Sequence, residues 1–356
     1  MDISSDNFPV SIIDSQGRDR IGTPFDLTSE EIEVDWHHSL ALAVRSSAQL
    51  LSAVGVSPSQ FSVSDKAGEQ FPVFVPRSYI RRMAQGDPRD PLLMQVLATN
   101  AELVPRADFT PDAVGDGLSR LTPGLLKKYE GRALLVATGT CAIHCRYCFR
   151  REYPYGREPR QMSEWEPAFR AIETDPSIHE IILSGGDPLM LTDSRLAELC
   201  RRIDSVRHIR RLRIHSRLPI VLPNRVTETL IDLLNGLRTQ TIVVVHANHP
   251  NEIERDCPPA LQKLVRAGLP VLNQAVLLKG INDDADVLTE LCERLTDLGV
   301  MPYYLHQLDR VTGTAHFEVP VEQGRELVAE VRRRLPGYAV PVYVQEIAGA
   351  ASKVPL

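Results

Sequence analysis

From about Arg132 onward, short apolar runs alternate with segments whose apolar residues return at helical spacing. ALLVAT at 133–138, IILS at 181–184, LRIHS at 212–216, TIVVVHA at 241–247, PVLNQAVLL at 270–278, PYYLHQL at 302–308 and AVPVYVQ at 339–345 read as strands. Between them, the spacing predicts helices over 164–173, 195–203, 226–237, 260–267, 285–298 and 322–335. Such alternation predicts right-handed βαβ units on a parallel sheet. Six units, with no glycine-rich dinucleotide fingerprint after any strand, favour an α/β fold of the partial (β/α)6 TIM-like barrel type over a doubly wound sheet.

The first hundred or so residues differ. Trp36, Leu40, Val44, Leu51 and Val54 recur as on one helix, with Gly55 as its stop, and further helices are expected around Tyr79–Met83 and Leu92–Leu97. Turn-forming GDPRDP separates two of them, and nothing there alternates like a sheet. The expected organisation is a helical N-terminal region over 1–125, a cap or dimerisation element with no identifiable chemistry, followed by a barrel over 126–356.

Composition narrows the function. The 356 residues are 43% apolar and 24% charged, as in an ordinary globular protein rather than a disordered one. A net charge of −6 gives no basic face for a nucleic-acid partner. No apolar run approaches the ~18–20 residues of a membrane span. The opening MDISSDNFPV lacks the basic and apolar regions of a signal peptide, so a cytoplasmic location is expected. Six cysteines in a chain of this length are not a disulfide framework.

The candidate chemistry gathers at strand ends. Cys141, Gly185 to Asp187, His215 to Arg217, His246 to His249, Gln274 and His306 to Asp309 all fall at or just past the carboxyl ends of expected strands, the rim where barrels build active sites. Within it, Cys141-x-x-x-Cys145-x-x-Cys148 places three soft thiolates on one tight loop, as iron–sulfur clusters require. Three ligands leave one iron of a [4Fe–4S] cluster open. The spacing also admits a zinc ion with His144 as fourth ligand, or three buried thiols. Cys200, Cys257 and Cys292 lie in or beside expected helices and read as core thiols.

The cysteine loop, with Tyr147 before its last cysteine, resembles that of the radical S-adenosylmethionine (SAM) superfamily, and LSGGDPLM at 183–190 looks like its SAM-binding glycine motif. From about Lys128 to the C-terminus the chain resembles the lysine 2,3-aminomutase family, through KYEGRALL, CRYCFRR, SRLPIVLPNRVT, HANHPNEI, NQAVLLKGIND, PYYLHQLD and SKVPL. The resemblance implies a [4Fe–4S] cluster on Cys141, Cys145 and Cys148, whose open iron binds SAM and whose electron cleaves it to a 5′-deoxyadenosyl radical. It implies a SAM pocket of Gly185, Gly186, Asp187, Arg217, His246 and Gln274, the glycines letting backbone approach the ligand. It further implies pyridoxal 5′-phosphate (PLP) on Lys353, with a phosphate site at Lys128, Tyr129 and Arg132.

For the substrate, the resemblance implies that Arg150 takes the carboxylate and that Asp309 and Glu346 hold the ε-ammonium of lysine, whose nitrogen migrates from C2 to C3. Family members have aspartate where this chain has Glu346, glycines at Ala350, Ala351 and Ser352, and arginine at Lys128. The sequence stops just past Lys353, as in the short branch that makes (R)-β-lysine for translation elongation factor P. That branch implies links to elongation factor P and its lysyl ligase, an electron donor, and a homo-oligomer. The rival expectations are an aminomutase acting on another amino acid and a zinc-stabilised non-catalytic scaffold.

Overall fold

The computed structural model describes residues 35–356 and a short antiparallel pair, β1 (Val10–Ile13) and β2 (Asp19–Gly22). Seven parallel strands follow one another in both sequence and space: β5 (Arg132–Thr138), β6 (Glu180–Gly185), β7 (Arg211–His215), β8 (Gln240–Val245), β9 (Val271–Val276), β10 (Met301–His306) and β11 (Val342–Gln345). The antiparallel pieces β3 (Arg120–Thr122) and β4 (Leu125–Leu126) extend one edge, and β12 (Val354–Pro355) extends the other. This sequential order is that of a singly wound, incomplete barrel. The six crossovers carry α6 (Glu166–Thr174), α7 (Asp193–Asp204), α8 (Leu218–Val221) with α9 (Glu228–Asn235), α10 (Cys257–Arg266), α11 (Ala285–Asp297) and α12 (Val321–Arg334).

Local chemistry sets the helix starts. Thr192, Thr227 and Asp284 cap α7, α9 and α11 by accepting from the backbone N–H groups of Arg195, Leu230 and Asp286. Cys200, Cys257 and Cys292 are buried in α7, α10 and α11, as core thiols should be.

The N-terminal region departs from expectation. The single helix expected over 36–54 is two, α1 (Trp36–Ala41) and α2 (Ser47–Ala53), because Val44 forms an antiparallel bridge with Val75. A long-range backbone pair thus overrides helical periodicity. α3 (Asp65–Gln70), α4 (Arg77–Ile80) and α5 (Pro91–Met94) follow, and a second bridge joins Val63 to Thr99. The region therefore pairs backbone as well as packing helices. One apolar core runs from Leu50, Tyr79 and Leu92 into Leu135, Leu183 and Ile214 of the sheet. Among the described residues, no helix is long and apolar enough to cross a membrane.

Candidate active site

The carboxyl ends of β5–β11 open into one cavity of about 590 Å³, within the range of small-molecule sites. Every residue expected to bind a cluster, cofactor or substrate lines it: Cys141, Cys145, Cys148, Gly185, Gly186, Asp187, Arg217, His246, Gln274, Lys128, Tyr129, Arg132, Arg150, Asp309, Glu346 and Lys353. The cysteines lie past the end of β5, whereas Arg132 opens that strand. Seven extended residues between them span on the order of 20 Å, so the cavity has two ends.

At the upper end, burial and then the neighbouring thiols push the Cys141 thiol well up and the Cys148 thiol up to about 11. Such thiols release protons as they bind metal. Arg217 Nη1 donates to Cys145 Sγ at 2.6 Å, and its Nη2 donates to Gln95 Oε1 at 2.8 Å and Glu252 Oε2 at 2.9 Å. Glu252 comes from the HANHPNEI segment and Gln95 from the N-terminal region, so both halves of the chain brace the cysteine loop. His144 is not among the cavity-lining residues; its Nδ1 lies 2.7 Å from the carbonyl of Pro72 and its ring stacks on Phe71. Among the described residues, no three His, Cys, Asp or Glu side chains close on a single-ion site. Three cavity-lining thiolates without a fourth side-chain ligand fit a cluster with one open iron.

The glycine motif also has a local packing role. A Cβ on Gly186 would strike the carbonyl oxygen of Thr140, and one on Gly185, at φ +120°, would come within 2.6 Å of Thr138 O. The Gly186 and Asp187 N–H groups donate to those two carbonyls, each at 2.7 Å. The glycines clamp the cysteine loop onto β6. Here the close backbone approach is between two segments of the protein. Asp187 in turn accepts from the N–H groups of Leu189 (3.0 Å) and Arg217 (2.7 Å), and burial lifts its carboxyl to about 6.

His215, His246 and His306 also line the cavity. All are kept neutral, first by burial: His246 falls to about 3, and His215 and His306 lie well below their ordinary value. His215 and His246 each leave Nε2 buried without a hydrogen-bond partner, an orphaned polar atom suited to a ligand. His215 and His306 sit in the strand-end cluster visible in the sequence, but no motif singled them out.

The lower end is a chain of charges. Lys353 Nζ pairs with Glu346, which also accepts from Tyr129 Oη at 2.8 Å and lies 3.4 Å from Lys128 Nζ. Lys128 lies 2.7 Å from Asp116 Oδ1, and Arg150 Nε donates to Asp116 Oδ2 at 2.7 Å. Arg132 stacks on Tyr129, its guanidinium 4.5 Å from the ring centroid. Burial pushes the Asp309 carboxyl up to about 7 against the pull of Lys353. Lys353 reaches the cavity because the tail folds back, β12 pairing antiparallel with β11. A lysine inside a cavity, with cations to match phosphate charge, fits PLP. Asp116 was missed: it belongs to the region read as having no chemistry, and only folding brings it to Arg150.

Comparison with known proteins bears on the family. The radical SAM superfamily profile matches residues 135–292. The L-lysine 2,3-aminomutase of Escherichia coli (strain K12) is 43% identical over 323 residues, which is 90% of this chain and 94% of that protein. That of Haemophilus influenzae is 40% identical, over 90% of this chain and 95% of its own. That of Buchnera aphidicola subsp. Baizongia pistaciae is 38% identical, over 90% and 94%. With likeness of this extent, and three cysteines and a lysine facing one cavity, the chain belongs to the lysine 2,3-aminomutase family of the radical SAM superfamily.

Proposed function

We propose that this protein is a radical SAM, PLP-dependent L-lysine 2,3-aminomutase that converts (S)-α-lysine to (R)-β-lysine. The observation that carries the reading is one cavity lined both by the three thiols and by Lys353, Arg150, Asp309 and Glu346. When bound, a [4Fe–4S] cluster with SAM supplies a carbon radical, and PLP supplies a carbonyl that carries the migrating nitrogen. Cys141, Cys145 and Cys148 hold the cluster. Gly185, Gly186, Asp187, Arg217, His246 and Gln274 shape the SAM side, and Lys128, Tyr129 and Arg132 the phosphate side.

The protein's own part is placement. Arg150 offers a guanidinium to the substrate carboxylate, while Asp309 and Glu346 receive its distal ammonium. Two carboxylates in the cavity select a cationic side chain over a neutral or acidic one. Glu346, in contact with Lys353 Nζ, orients that lysine within the cavity. The neutral imidazoles of His215, His246 and His306 bind by hydrogen bonding and stacking rather than by charge.

The product serves β-lysylation of elongation factor P by its lysyl ligase in this reading, supported by near full-length likeness to the short relatives. An external donor must reduce the cluster. Anaerobic protein, reconstituted with iron and sulfide and given labelled lysine, SAM, PLP and dithionite, should yield β-lysine. Lys353→Ala should abolish both product and protein-bound PLP absorbance. A colourless protein carrying one zinc, or β-amino product only from another amino acid, would overturn the assignment.

A further inference from the structure

We propose that Asp116 is a positioning residue that sets the substrate-carboxylate arginine, Arg150, relative to the cofactor-phosphate lysine, Lys128. The inference rests on the function proposed above. Asp116 is buried, with 2% of its surface exposed, and its two oxygens divide between the two cations, each at 2.7 Å. A guanidinium has five N–H donors in a planar fork. Asp116 takes Nε–H, and Ser184 Oγ takes one hydrogen of Nη1 at 3.1 Å. Phe149 and Tyr153 lie against the guanidinium, with ring centroids 4.7 and 5.8 Å from Cζ. Plane and rotation are therefore both fixed, and the Nη1/Nη2 edge is left for a bidentate carboxylate.

The acid is itself held firmly. Asp112 accepts from the N–H groups of Asp116 and Gly117, each at 2.9 Å. The strap beginning at Phe109 is anchored by that ring's packing with Tyr147, Leu308 and Phe317, and by a parallel bridge from Thr110 to Val311. Burial works to raise the carboxyl, yet Arg150 and then Lys128 outweigh it and hold it below the usual range, so the anion persists at working pH. Because one anion serves both cations, the separation between substrate carboxylate and cofactor phosphate is set by a strap outside the barrel.

The test compares L-lysine with L-lysine amide, which keeps both amines and lacks the carboxylate. Binding is read from the absorbance change of protein-bound PLP, without SAM, on the reconstituted full-length protein. Asp116→Asn should weaken lysine on the order of tenfold, as expected for loss of a charge-assisted hydrogen bond. Lysine amide should bind as before, and KM should rise with kcat nearly unchanged. In the Arg150→Lys background the same substitution should add nothing, since Asp116 acts through Arg150. If Asp116→Asn fails to retain PLP, Asp116→Glu, which keeps the charge but displaces it, is measured in the same way. An unchanged lysine-to-amide ratio, or additive effects in the cycle, overturns the role of Asp116 while leaving the function intact. Wild-type protein that does not prefer lysine to its amide overturns this role together with the assignment of Arg150 to the substrate carboxylate, whereas failure to form β-lysine overturns the function itself.

Discussion

At the residue scale, environment decides what each charged side chain does. Asp309 and Glu346 are both carboxylates facing Lys353, yet burial lifts Asp309 to about 7, whereas Lys353, Lys128 and Tyr129 overcome burial and hold Glu346 below its ordinary value. Asp309 receives an ammonium only when deprotonated. Binding strength attributable to it is therefore present above that value and lost as pH falls through about 7. A profile of kcat/KM for lysine should rise with pH through this range. Asp309→Asn should lower kcat/KM and remove that limb; a limb that persists in the variant would assign it to another group. Asp309 was legible as a polar residue at a strand end, and Glu346 only through the family resemblance. Asp116 was not, since its partner Arg150 lies 34 positions away and no local pattern marks the pair.

At the element scale, the cysteine loop is held by its neighbours as much as by its own sequence. The clamp between Gly186 and Thr140 leaves no room for a side chain, and the carbonyl carbons of Gly139 and Thr140 would lie 2.8 Å from an added Cβ. Gly186→Ala should cost about 1–3 kcal/mol as backbone is forced apart, and should lower iron uptake on reconstitution. Urea unfolding and iron per chain measure the two effects; wild-type values for both would refute the clamp. The βα alternation was readable because strand and helix periods are local properties. The break between α1 and α2 was not, because the Val44–Val75 bridge competes with helix formation from 31 residues away. Nor was the return of β12 beside β11, which turns Lys353 into the cavity.

At the scale of the whole molecule, the N-terminal region and the barrel share buried charges. Arg146, from within the cysteine loop, donates through Nε to Glu102 Oε1 at 2.8 Å and through Nη2 to Oε2 at 2.5 Å, and Arg151 reaches the same carboxylate at 2.8 Å. Removing the shared acid strands two buried guanidiniums. Glu102→Ala should therefore cost about 3–5 kcal/mol, seen as a lower midpoint in anaerobic thermal unfolding, with iron retention falling in parallel. Loss of less than about 1 kcal/mol would mean that solvent reaches both arginines.

The sequence by itself determined the order and type of the barrel elements and the thiol spacing, because each is written in neighbouring residues; Lys353 stood out only through the family resemblance. Tertiary structure alone decided which charges meet. Lys128 and Glu346 lie 218 positions apart, and Asp116 reaches Arg150 from another part of the fold. Periodicity carries no record of such encounters: an isolated acid and an isolated base read alike whether they face water or one another, and only burial in a common cavity turns them into a site.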